Sequence, residues 1–476
     1  MADVPLPGSE LTGPEAGAAG RTGETAAIAR AVPEPVLELL RTLWAAGFAA
    51  WVVGGSLRDT LLGREADDWD LATDALPDQT LEAFDGATYE NRFGTVAVRR
   101  HHAIFEITTF RSDHDYADFR RPHRVEFGTS LEEDLARRDF TVNAMAWGAT
   151  AGEGAAGSPP RLVDPFGGRD DVATGLIRAV GDPGRRFEED ALRMVRAVRL
   201  ATTLGFEIEP ATRAAIDRRA PLVAHLSGER IATELGKLLA AEQPSIGLRL
   251  LAETGLLEHL APELAAQRGV PQNKMPGEDL WDHTVRTVDA ARPHPVVRLA
   301  ALVHDIGKPA TRADGHFYGH ETVGAEQARA FLDRLHEPKI VTERVGHLVR
   351  NHMFKYEPTW SDAAVRRFIG KVGREAIDEL FALREADNIG SGVAPAAEGL
   401  DELRARVAVE LEAGPVLDRS ALAIDGNDLM AELGLEPGPR LGSILESLLE
   451  RVIEEPQLNE PATLLLMARD LEGDER

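Results

Sequence analysis

Two aspartates placed two positions apart, Asp68 and Asp70, are the residues in this sequence most suggestive of chemistry. On a β-strand, side chains at i and i+2 point to the same face and lie ~6–7 Å apart along the chain. Carboxylates at this spacing can share Mg²⁺ ions, which lie ~3.5–4 Å apart in two-metal sites for phosphoryl-type transfer. A solvated acidic turn would give the same pattern. Glu106 is either a third carboxylate of such a site or an outward-facing strand residue.

A pair of glycines, Gly54 and Gly55, stands between two predicted elements. The apolar run 48–53 predicts a buried strand, and 57–62 predicts a short helix with Ser56 as its N-cap. Glycines let the backbone approach a ligand closely, and amides at a helix N-terminus favour phosphate. A plain turn in an α/β domain would look the same.

Two further segments carry charged side chains at suggestive spacings. Residues 137–145 combine two arginines, which neutralise triphosphates, with an aspartate and an asparagine, which can hydrogen-bond ribose hydroxyls. Residues 189–199 are predicted to form a helix that places Asp190 and Arg193 at i and i+3. These two side chains either project together toward a ligand or form an ordinary exposed ion pair.

Histidines and aspartates recur in the helical second half of the chain. An adjacent His-Asp pair at a helix end is a stronger indication of a metal site than a lone histidine on an apolar helix, which is usually structural. Imidazole and carboxylate together suit Mn²⁺, Fe²⁺, Ni²⁺, Zn²⁺ or Mg²⁺. The candidate ligands are His283, His304, Asp305 and Asp387, accompanied by His320 and His352.

The elements that must position these residues change character along the chain. Strands and helices mix up to about residue 180, and from 185 onward the periodicity is helical. Residues 35–47 predict a helix, the Gly/Ala/Pro-rich stretch 148–160 a loop insertion, and Gly414-Pro415 a break before the last helical segment. The further predicted strands are 68–72, 95–99 and 104–110.

Composition sets outer bounds on the function. A length of 476 residues predicts about three domains, and 43% hydrophobic residues suffice for packed cores. With 0 cysteines, a disulfide scaffold, a thiolate metal site and a cysteine nucleophile are excluded. The net charge of −26 excludes a uniformly basic nucleic-acid coat, although local basic surfaces remain possible. The chain has neither a run of ~18 apolar residues nor a visible signal peptide, so we expect a cytoplasmic protein without a membrane partner.

In their order and spacing, the motifs of the first half resemble those of class II tRNA nucleotidyltransferases, whose catalytic head is shared with the DNA polymerase β superfamily. The resemblance covers about residues 35–265. It rests on Gly54-Gly55-x-x-Arg58-Asp59, Asp68-x-Asp70, Arg137-Arg138-Asp139-Phe140-x-x-Asn143-Ala144 and Glu189-Asp190-x-x-Arg193-x-x-Arg196. It implies that Asp68 and Asp70 are catalytic and hold Mg²⁺. It also implies nucleotide binding by Gly54, Gly55, Arg58, Arg138, Asp139, Asn143, Asp190, Arg193 and Arg196.

The same resemblance implies that Asp190 and Arg193 read the nucleobase. Cytosine and adenine both present an exocyclic amine beside a ring-nitrogen acceptor, and uracil and guanine reverse this pattern. An aspartate acceptor beside an arginine donor would therefore accept C and A and reject U and G. Residues 110–122 resemble the family's mobile loop. Residues 229–239 resemble its neck, where we expect packing rather than chemistry.

In the second half, the order His, His-Asp, Asp resembles the HD superfamily of metal-dependent phosphohydrolases, and His320 and His352 match its two-metal form. A divalent transition metal is therefore expected there, although such domains also survive as scaffolds. The segment after residue 415 reads as helix, Gly-Pro turn and helix, and resembles the tail of HD-containing members.

We therefore predict an α+β protein, with a small mixed-sheet head followed by all-helical neck, HD and tail regions. The predicted divisions are a disordered extension 1–34, head 35–180, neck 181–265, HD domain 266–400 and tail 401–476. The implied activity is addition of C, C and A to tRNA 3′ ends from CTP and ATP. Poly(A) polymerase, an enzyme adding only A or only C residues, and an HD phosphohydrolase as the main activity are the alternatives. The sequence does not indicate an oligomeric state.

Overall fold

The computed structural model describes residues 25, 27–66, 68–91, 94–116, 122–128, 130–272 and 274–473. Internal contacts divide the chain into two compact units. The first comprises Met1–Glu234 and Leu250–Leu260, and the second Leu235–Arg249 and Ala261–Arg476. Within the described ranges, every named strand belongs to the first unit, which confirms the predicted α+β class.

A mixed seven-stranded sheet forms the centre of the first unit, in the order β3-β4-β5-β2-β1-β8-β9. Strands β2 and β5 are parallel, and the other neighbouring pairs are antiparallel. The hairpin β6–β7 and the parallel pair β10–β11 lie outside this sheet. The strands are β1 Ala50–Val53, β2 Asp70–Thr73, β3 Thr88–Asn91, β4 Thr95–Arg100, β5 Ala103–Thr109, β6 Arg111–Tyr116, β7 Pro122–Phe127, β8 Ala146–Ala149, β9 Arg161–Val163, β10 Leu176–Ile177 and β11 Glu207–Ile208.

Helices pack against this sheet, and the described part of the chain after β11 contains helices without further strands. The first helix buries Val36, Leu39, Leu40 and Leu43 along one face, which is the pattern that predicted it. The helices that begin in this unit or cross its borders are α1 Glu34–Ala45, α2 Gly55–Leu61, α3 Pro77–Ala83, α4 Leu131–Ala136, α5 Ala151–Ala155, α6 Gly168–Thr174, α7 Pro183–Glu189, α8 Leu192–Leu204, α9 Pro210–Arg219, α10 Gly228–Leu239, α11 Pro244–Glu253 and α12 Leu256–Leu260.

The second unit is helical. Helices α14, α15, α18 and α20 pack on one another, and the tail encloses a separate apolar core around Leu429, Leu448 and Leu464. The predicted helix, Gly-Pro turn and helix of the tail are confirmed as α22 and α23. The helices are α13 Pro262–Ala265, α14 Leu280–Ala290, α15 Pro295–Val303, α16 Lys308–Thr311, α17 His320–Arg334, α18 Lys339–Asn351, α19 Asp362–Val372, α20 Ile377–Gly390, α21 Leu400–Glu412, α22 Gly426–Leu433, α23 Pro439–Glu454 and α24 Pro461–Gly473. Over the described ranges, none combines the length and apolar character that crossing a bilayer requires.

The four predicted strands are confirmed as β1, β2, β4 and β5, but three local predictions are wrong. Helix α2 begins at Gly55, so Ser56 lies inside the helix and does not cap it. The stretch predicted as a loop insertion contains α5, because Thr150 and Glu153 form a reciprocal capping box that starts a helix there. The end of the predicted disordered extension is helical, and Ile28 is fully buried.

The segment predicted as a mobile loop falls partly on residues 117–121, which lie outside the described residues. Its described flanks form the hairpin of β6 and β7, paired from Arg111↔Phe127 onward. Its mobility stays a prediction.

Replacing Gly148 by alanine is expected to destabilise the sheet centre. Gly148 faces Trp51 across β1 and β8, and an added Cβ would overlap the Ala50 carbonyl and lie 2.8 Å from Trp51 Cα. Overpacking of this kind costs about 1–3 kcal/mol. Gly152→Ala is the matched control, because nothing lies within 4 Å of its added Cβ and alanine favours the helix. Equal midpoints for the two variants in urea unfolding would contradict this assignment.

Candidate active site and metal centre

A cleft of about 330 Å³ in the first unit collects most of the charged residues predicted for the head. Sheet strands supply Asp70 and Glu106, and the other charged residues come from the hairpin β6–β7, from the segment after α4 and from around the start of α8. The lining residues are Val53, Asp70, Leu71, Thr95, Glu106, Thr108, Arg111, Arg137, Arg138, Asp139, Asp190, Arg193 and Arg196. The sequence did not predict Thr95, Thr108 or Arg111, since threonines and arginines on strands carry no distinctive pattern.

Asp70 is the first residue of strand β2, and nearby charges act on its carboxylate in opposite directions. Burial raises its pKa to about 6, with repulsion from Asp68 as the next cause and Glu106 as a smaller one, while Arg138 acts in the opposite direction. Asp68 lies before the strand and is exposed, so the prediction that both aspartates share one strand is wrong. They nevertheless interact. A crowded set of carboxylates is the donor set that a hard divalent cation prefers, and these residues therefore fit Mg²⁺.

The glycine turn approaches this carboxylate closely. Gly54 has a φ of 85°, and a Cβ added there would lie 3.3 Å from Arg138 Nη1 and 3.7 Å from Asp70 Oδ2. Both the backbone conformation and the space therefore favour glycine. The first turn of α2 follows, and a Cβ added at Gly55 would lie similarly close to the Arg58 guanidinium.

Asp139 is the most connected carboxylate of the cleft. Its Oδ2 accepts from Arg196 Nε at 2.8 Å, and its Oδ1 accepts from Asn143 Nδ2 at 3.2 Å. Asn143 Oδ1 in turn accepts from Arg58 Nη1 at 2.6 Å. Burial alone would raise the pKa of Asp139, but Arg196 and the hydrogen bonds hold it well below its usual range. Four predicted nucleotide-binding residues thus form one chain of hydrogen bonds.

A buried carboxylate that the sequence analysis missed, Asp134, holds the arginine pair. Its side chain is 1% exposed and accepts from Arg137 at 2.6 Å and 2.9 Å and from Arg138 at 3.3 Å. The spacings i+3 and i+4 on α4 were the available signal. Asp134 therefore fixes where both guanidinium groups point.

The predicted helix 189–199 is interrupted at the proposed base reader. Helix α7 ends at Glu189, Asp190 is extended, and α8 begins at Leu192. The Asp190 side chain accepts from the amide of Leu192, the first residue of α8, at 3.0 Å. The two readers are therefore not on successive turns of one helix, and the model of a helical ion pair between them is wrong.

Asp190 and Arg193 are held by different partners. Arg193 donates to Glu189 Oε2 at 2.8 Å and to the Arg137 carbonyl at 2.8 Å. Asp190 Oδ2 accepts from Arg230 Nη2 at 2.7 Å. An arginine has five N–H groups, so donors of Arg193 remain for a ligand in the cleft.

Helix α10, where packing rather than chemistry is expected, holds charged side chains next to the cleft. Arg230 holds Asp190, and Glu234, which is 3% exposed, binds Arg196 at 3.3 Å and Arg199 at 2.8 Å. Nothing in the spacing of α10 alone indicated this, because the partners are about 40 residues earlier in the chain.

The second unit contains the histidine cluster, which comprises His283, His304, Asp305, His320, His352 and Asp387. All six are buried. Asp305 lies at the middle of this cluster. Its Oδ2 is 3.4 Å from His283 Nε2 and 3.1 Å from His304 Nε2. Its Oδ1 is 3.4 Å from His320 Nε2 and 3.7 Å from His352 Nε2. Two groups of potential ligands therefore share one carboxylate, as the two-metal pattern predicts.

The imidazoles are oriented as metal ligands usually are. The Nδ1 atoms of His304, His320 and His352 lie 2.7–2.8 Å from backbone carbonyls, which fixes Nε2 as the free nitrogen. The Nε2 atoms of His320 and His352 are buried without a hydrogen-bond partner. Burial lowers the pKa of His304, which favours the neutral form that binds metals. These residues fit a divalent metal.

Family models match in three places. One described as the poly A polymerase head domain matches residues 50–178. One described as a probable RNA and SrmB-binding site of polymerase A matches 205–268, and an HD domain model matches 280–391. The exact domain boundaries stay predictions.

Whole-chain comparisons point to one activity. The CCA-adding enzyme of Geobacillus stearothermophilus is 34% identical over 90% of this chain and 94% of its own length. That of Levilactobacillus brevis is 35% identical over 91% of this chain and 96% of its own. A crystal structure of the Bacillus stearothermophilus CCA-adding enzyme with CTP aligns with a TM-score of 0.69 at 31% identity, covering 93% of this chain and 98% of that one. The Thermotoga maritima CCA-adding enzyme, solved with tRNA, shares the fold at a TM-score of 0.57 and 19% identity, covering 95% of this chain and 98% of its own.

Fold and cleft together define a nucleotidyltransferase that acts on RNA ends. The chain belongs to the family of CCA-adding enzymes and is a tRNA nucleotidyltransferase. The prediction of C, C and A addition is confirmed by these relatives, which are CCA-adding enzymes.

Replacing Asp139 by asparagine should weaken folding in a pH-dependent way. Because the folded-state pKa of Asp139 is depressed, its contribution is fully present above the unfolded pKa of ~3.9, declines below that pH and is lost only as the pH falls through the folded pKa. We expect Asp139→Asn to cost about 1–3 kcal/mol at pH 7, with a smaller deficit near pH 3.5.

Urea unfolding across that pH range measures the difference. Asp170→Asn, an exposed aspartate of α6, is the control and should unfold like the unsubstituted chain at every pH. A deficit for Asp139→Asn that does not change with pH would contradict the role of its charge.

Proposed function

We propose that Asp68 and Asp70 are the catalytic residues of the transferase. The observation that carries this proposal is the convergence of Asp70, Arg138, Asp190 and Arg193 on one cleft. Bound there, Mg²⁺ would lower the pKa of the tRNA 3′ hydroxyl and stabilise charge on the leaving pyrophosphate. The oxygen of that hydroxyl attacks the α-phosphate of the nucleotide, and the bond to pyrophosphate breaks.

The remaining cleft residues would hold the nucleotide. Asp134 keeps Arg138 in place beside Asp70, where we propose that it binds the triphosphate. Gly54 lacks a side chain and so leaves space for the Arg138 guanidinium. Asn143 and Asp139 are proposed to hydrogen-bond a ribose. Both belong to the hydrogen-bond chain that joins Arg58 to Arg196, and Asp139 lines the cleft. The relative solved with CTP supports CTP as one substrate, and ATP is proposed as the second.

Asp190 and Arg193 are proposed to read the base without a nucleic-acid template. Held by Arg230 and by the Leu192 amide, the Asp190 carboxylate faces the cleft as a fixed acceptor for the amine of C or A. Arg193, held by Glu189, would donate to the neighbouring ring nitrogen. A base of opposite pattern would leave these charged groups unpaired, which is costly in a buried site.

The tRNA substrate would bind through the neck, where residues 205–268 match the RNA-binding model. A cytoplasmic location is proposed because tRNA is matured there.

The histidine cluster is proposed to hold one or two divalent metals, and the support is that the Nε2 atoms of His320 and His352 are buried without a hydrogen-bond partner. Hydrolysis of a phosphoester by this cluster is the second candidate function.

Asp70→Ala should abolish nucleotide addition while leaving the fold intact. Loss of a metal-binding carboxylate costs several kcal/mol of transition-state stabilisation, so kcat should fall by roughly a thousandfold. Asp68→Ala should behave alike. Because Asp70 is a partly buried group whose charge is unfavourable, its removal should not lower the free energy of unfolding.

The measurement is extension of tRNAs that end before the first C, the second C or the A, with each nucleotide offered separately. The unsubstituted chain should add C, C and A and then stop. Asp85→Ala, an exposed aspartate, serves as the control. Near-normal turnover by Asp70→Ala would reject the catalytic assignment, and long A-tails on generic RNA would reject the tRNA activity.

Asp190→Ala should lose discrimination between CTP and UTP. One charged hydrogen bond is worth ~1.5–3 kcal/mol, so we expect the CTP:UTP ratio of kcat/KM to fall tenfold to hundredfold. Arg193→Ala should impair CTP and ATP alike, because both use that donor. Arg230→Ala should reduce the ratio in the same direction but less, because the carboxylate remains but is no longer fixed.

Arg230→Lys, which keeps a cation near Asp190, should recover part of the selectivity lost in Arg230→Ala. Arg185→Ala, an exposed arginine of α7, is the control for general loss of positive charge. An unchanged CTP:UTP ratio in Asp190→Ala would return Asp190 to a purely structural role.

A further inference from the structure

One ammonium group lies at the edge of the histidine cluster. Lys274 Nζ is 3.3 Å from Asp387 Oδ1 and 3.5 Å from His283 Nε2. The Lys274 side chain is 32% exposed, whereas those of Asp387 and His283 are 9% and 1% exposed. The lysine therefore reaches inward from the mouth of the cluster and ends on two of its buried ligand atoms.

These two atoms lie close to a third candidate ligand, His304. Asp387 Oδ1 is 3.2 Å from His283 Nε2 and 3.8 Å from His304 Nε2, so a single ion could contact all three. Ligand atoms bind a divalent metal at about 2.0–2.6 Å. An ion held by Asp387 and His283 would thus come within a few ångströms of the Lys274 ammonium, and the two like charges would repel each other strongly.

The second lysine of the region behaves differently. Lys308 is 7% exposed, binds Asp305 Oδ2 at 2.6 Å and lies over the Phe317 ring, and it begins a helix of its own. Lys274 belongs to the segment between Pro271 and Asp279, where the described residues, which are all but 273, form no helix or strand. Lys308 is therefore anchored within the packed interior, whereas the Lys274 side chain is partly exposed to solvent.

We propose that Lys274 is a tethered counter-charge that occupies the Asp387–His283 side of the cluster and competes with a divalent metal for it. The lysine offsets buried negative charge while the metal is absent, and it must leave when the metal binds. It thereby lowers the affinity of the cluster for metal. This inference rests on the proposed metal site.

The test compares charge removal with charge retention at one position. Lys274→Met keeps the apolar stem without the ammonium, and Lys274→Arg keeps a cation. All variants carry Asp70→Ala to weaken metal binding by the head, and this shared background cancels in the comparison between variants. The chain is stripped with a chelator and titrated with Mn²⁺ alone by calorimetry, and thermal unfolding is followed with and without Mn²⁺.

We expect Lys274→Met to bind Mn²⁺ roughly tenfold more tightly than the parent, and Lys274→Arg to stay close to it. Without metal, Lys274→Met should unfold at a lower temperature than the parent, and Mn²⁺ should close this gap. Lys355→Met, which removes an exposed ammonium elsewhere in the same unit, should change neither quantity.

Equal or weaker Mn²⁺ affinity in Lys274→Met would overturn the inference while leaving the metal site in place. His304→Ala separates the two failures, because it removes a ligand without touching Lys274. Two results would show that the proposed metal site is wrong: the parent binds no Mn²⁺, or Mn²⁺ binds equally well after His304→Ala. Either result would overturn the inference as well.

Discussion

The buried carboxylate of Asp139 is the interaction on which the transferase cleft depends. Its two oxygens bind Arg196 of α8 and Asn143 of the short turn after α4, and Asn143 binds Arg58 of α2. A buried ion is tolerated only when its charge and its hydrogen bonds are both satisfied. The requirement to satisfy this one group therefore fixes three separated segments around the cleft.

Both candidate sites contain buried or partly buried carboxylates, but the protein stabilises their negative charge to different degrees. In the head, Asp70 lies close to Asp68 and its pKa is raised, so its ionised form is poorly stabilised by the protein alone. In the histidine cluster, Asp305 is surrounded by imidazoles and a lysine that hold its pKa well below the usual range in spite of its burial. The first arrangement leaves the charge for a bound ion to stabilise, and the second supplies its own counter-charges.

Much of the chemistry was predictable because it depends on residue type and local spacing. The strand, glycine turn and helix around Gly54 follow from apolar runs and conformational preferences, and they are found nearly where predicted. The order of the motifs was enough to indicate a nucleotidyltransferase. The His304-Asp305 pair likewise indicated a metal centre before any geometry was available.

The sequence by itself therefore determined which side chains could act and in which class of domain they would lie. Only the tertiary structure decided which of them are partners. Asp190 pairs with Arg230, 40 residues later, and not with Arg193, three residues later, because the chain leaves helical geometry at Asp190. Local periodicity carries no information about a partner brought close by folding. Contacts between distant segments depend on how helices pack, and packing depends on the whole chain at once.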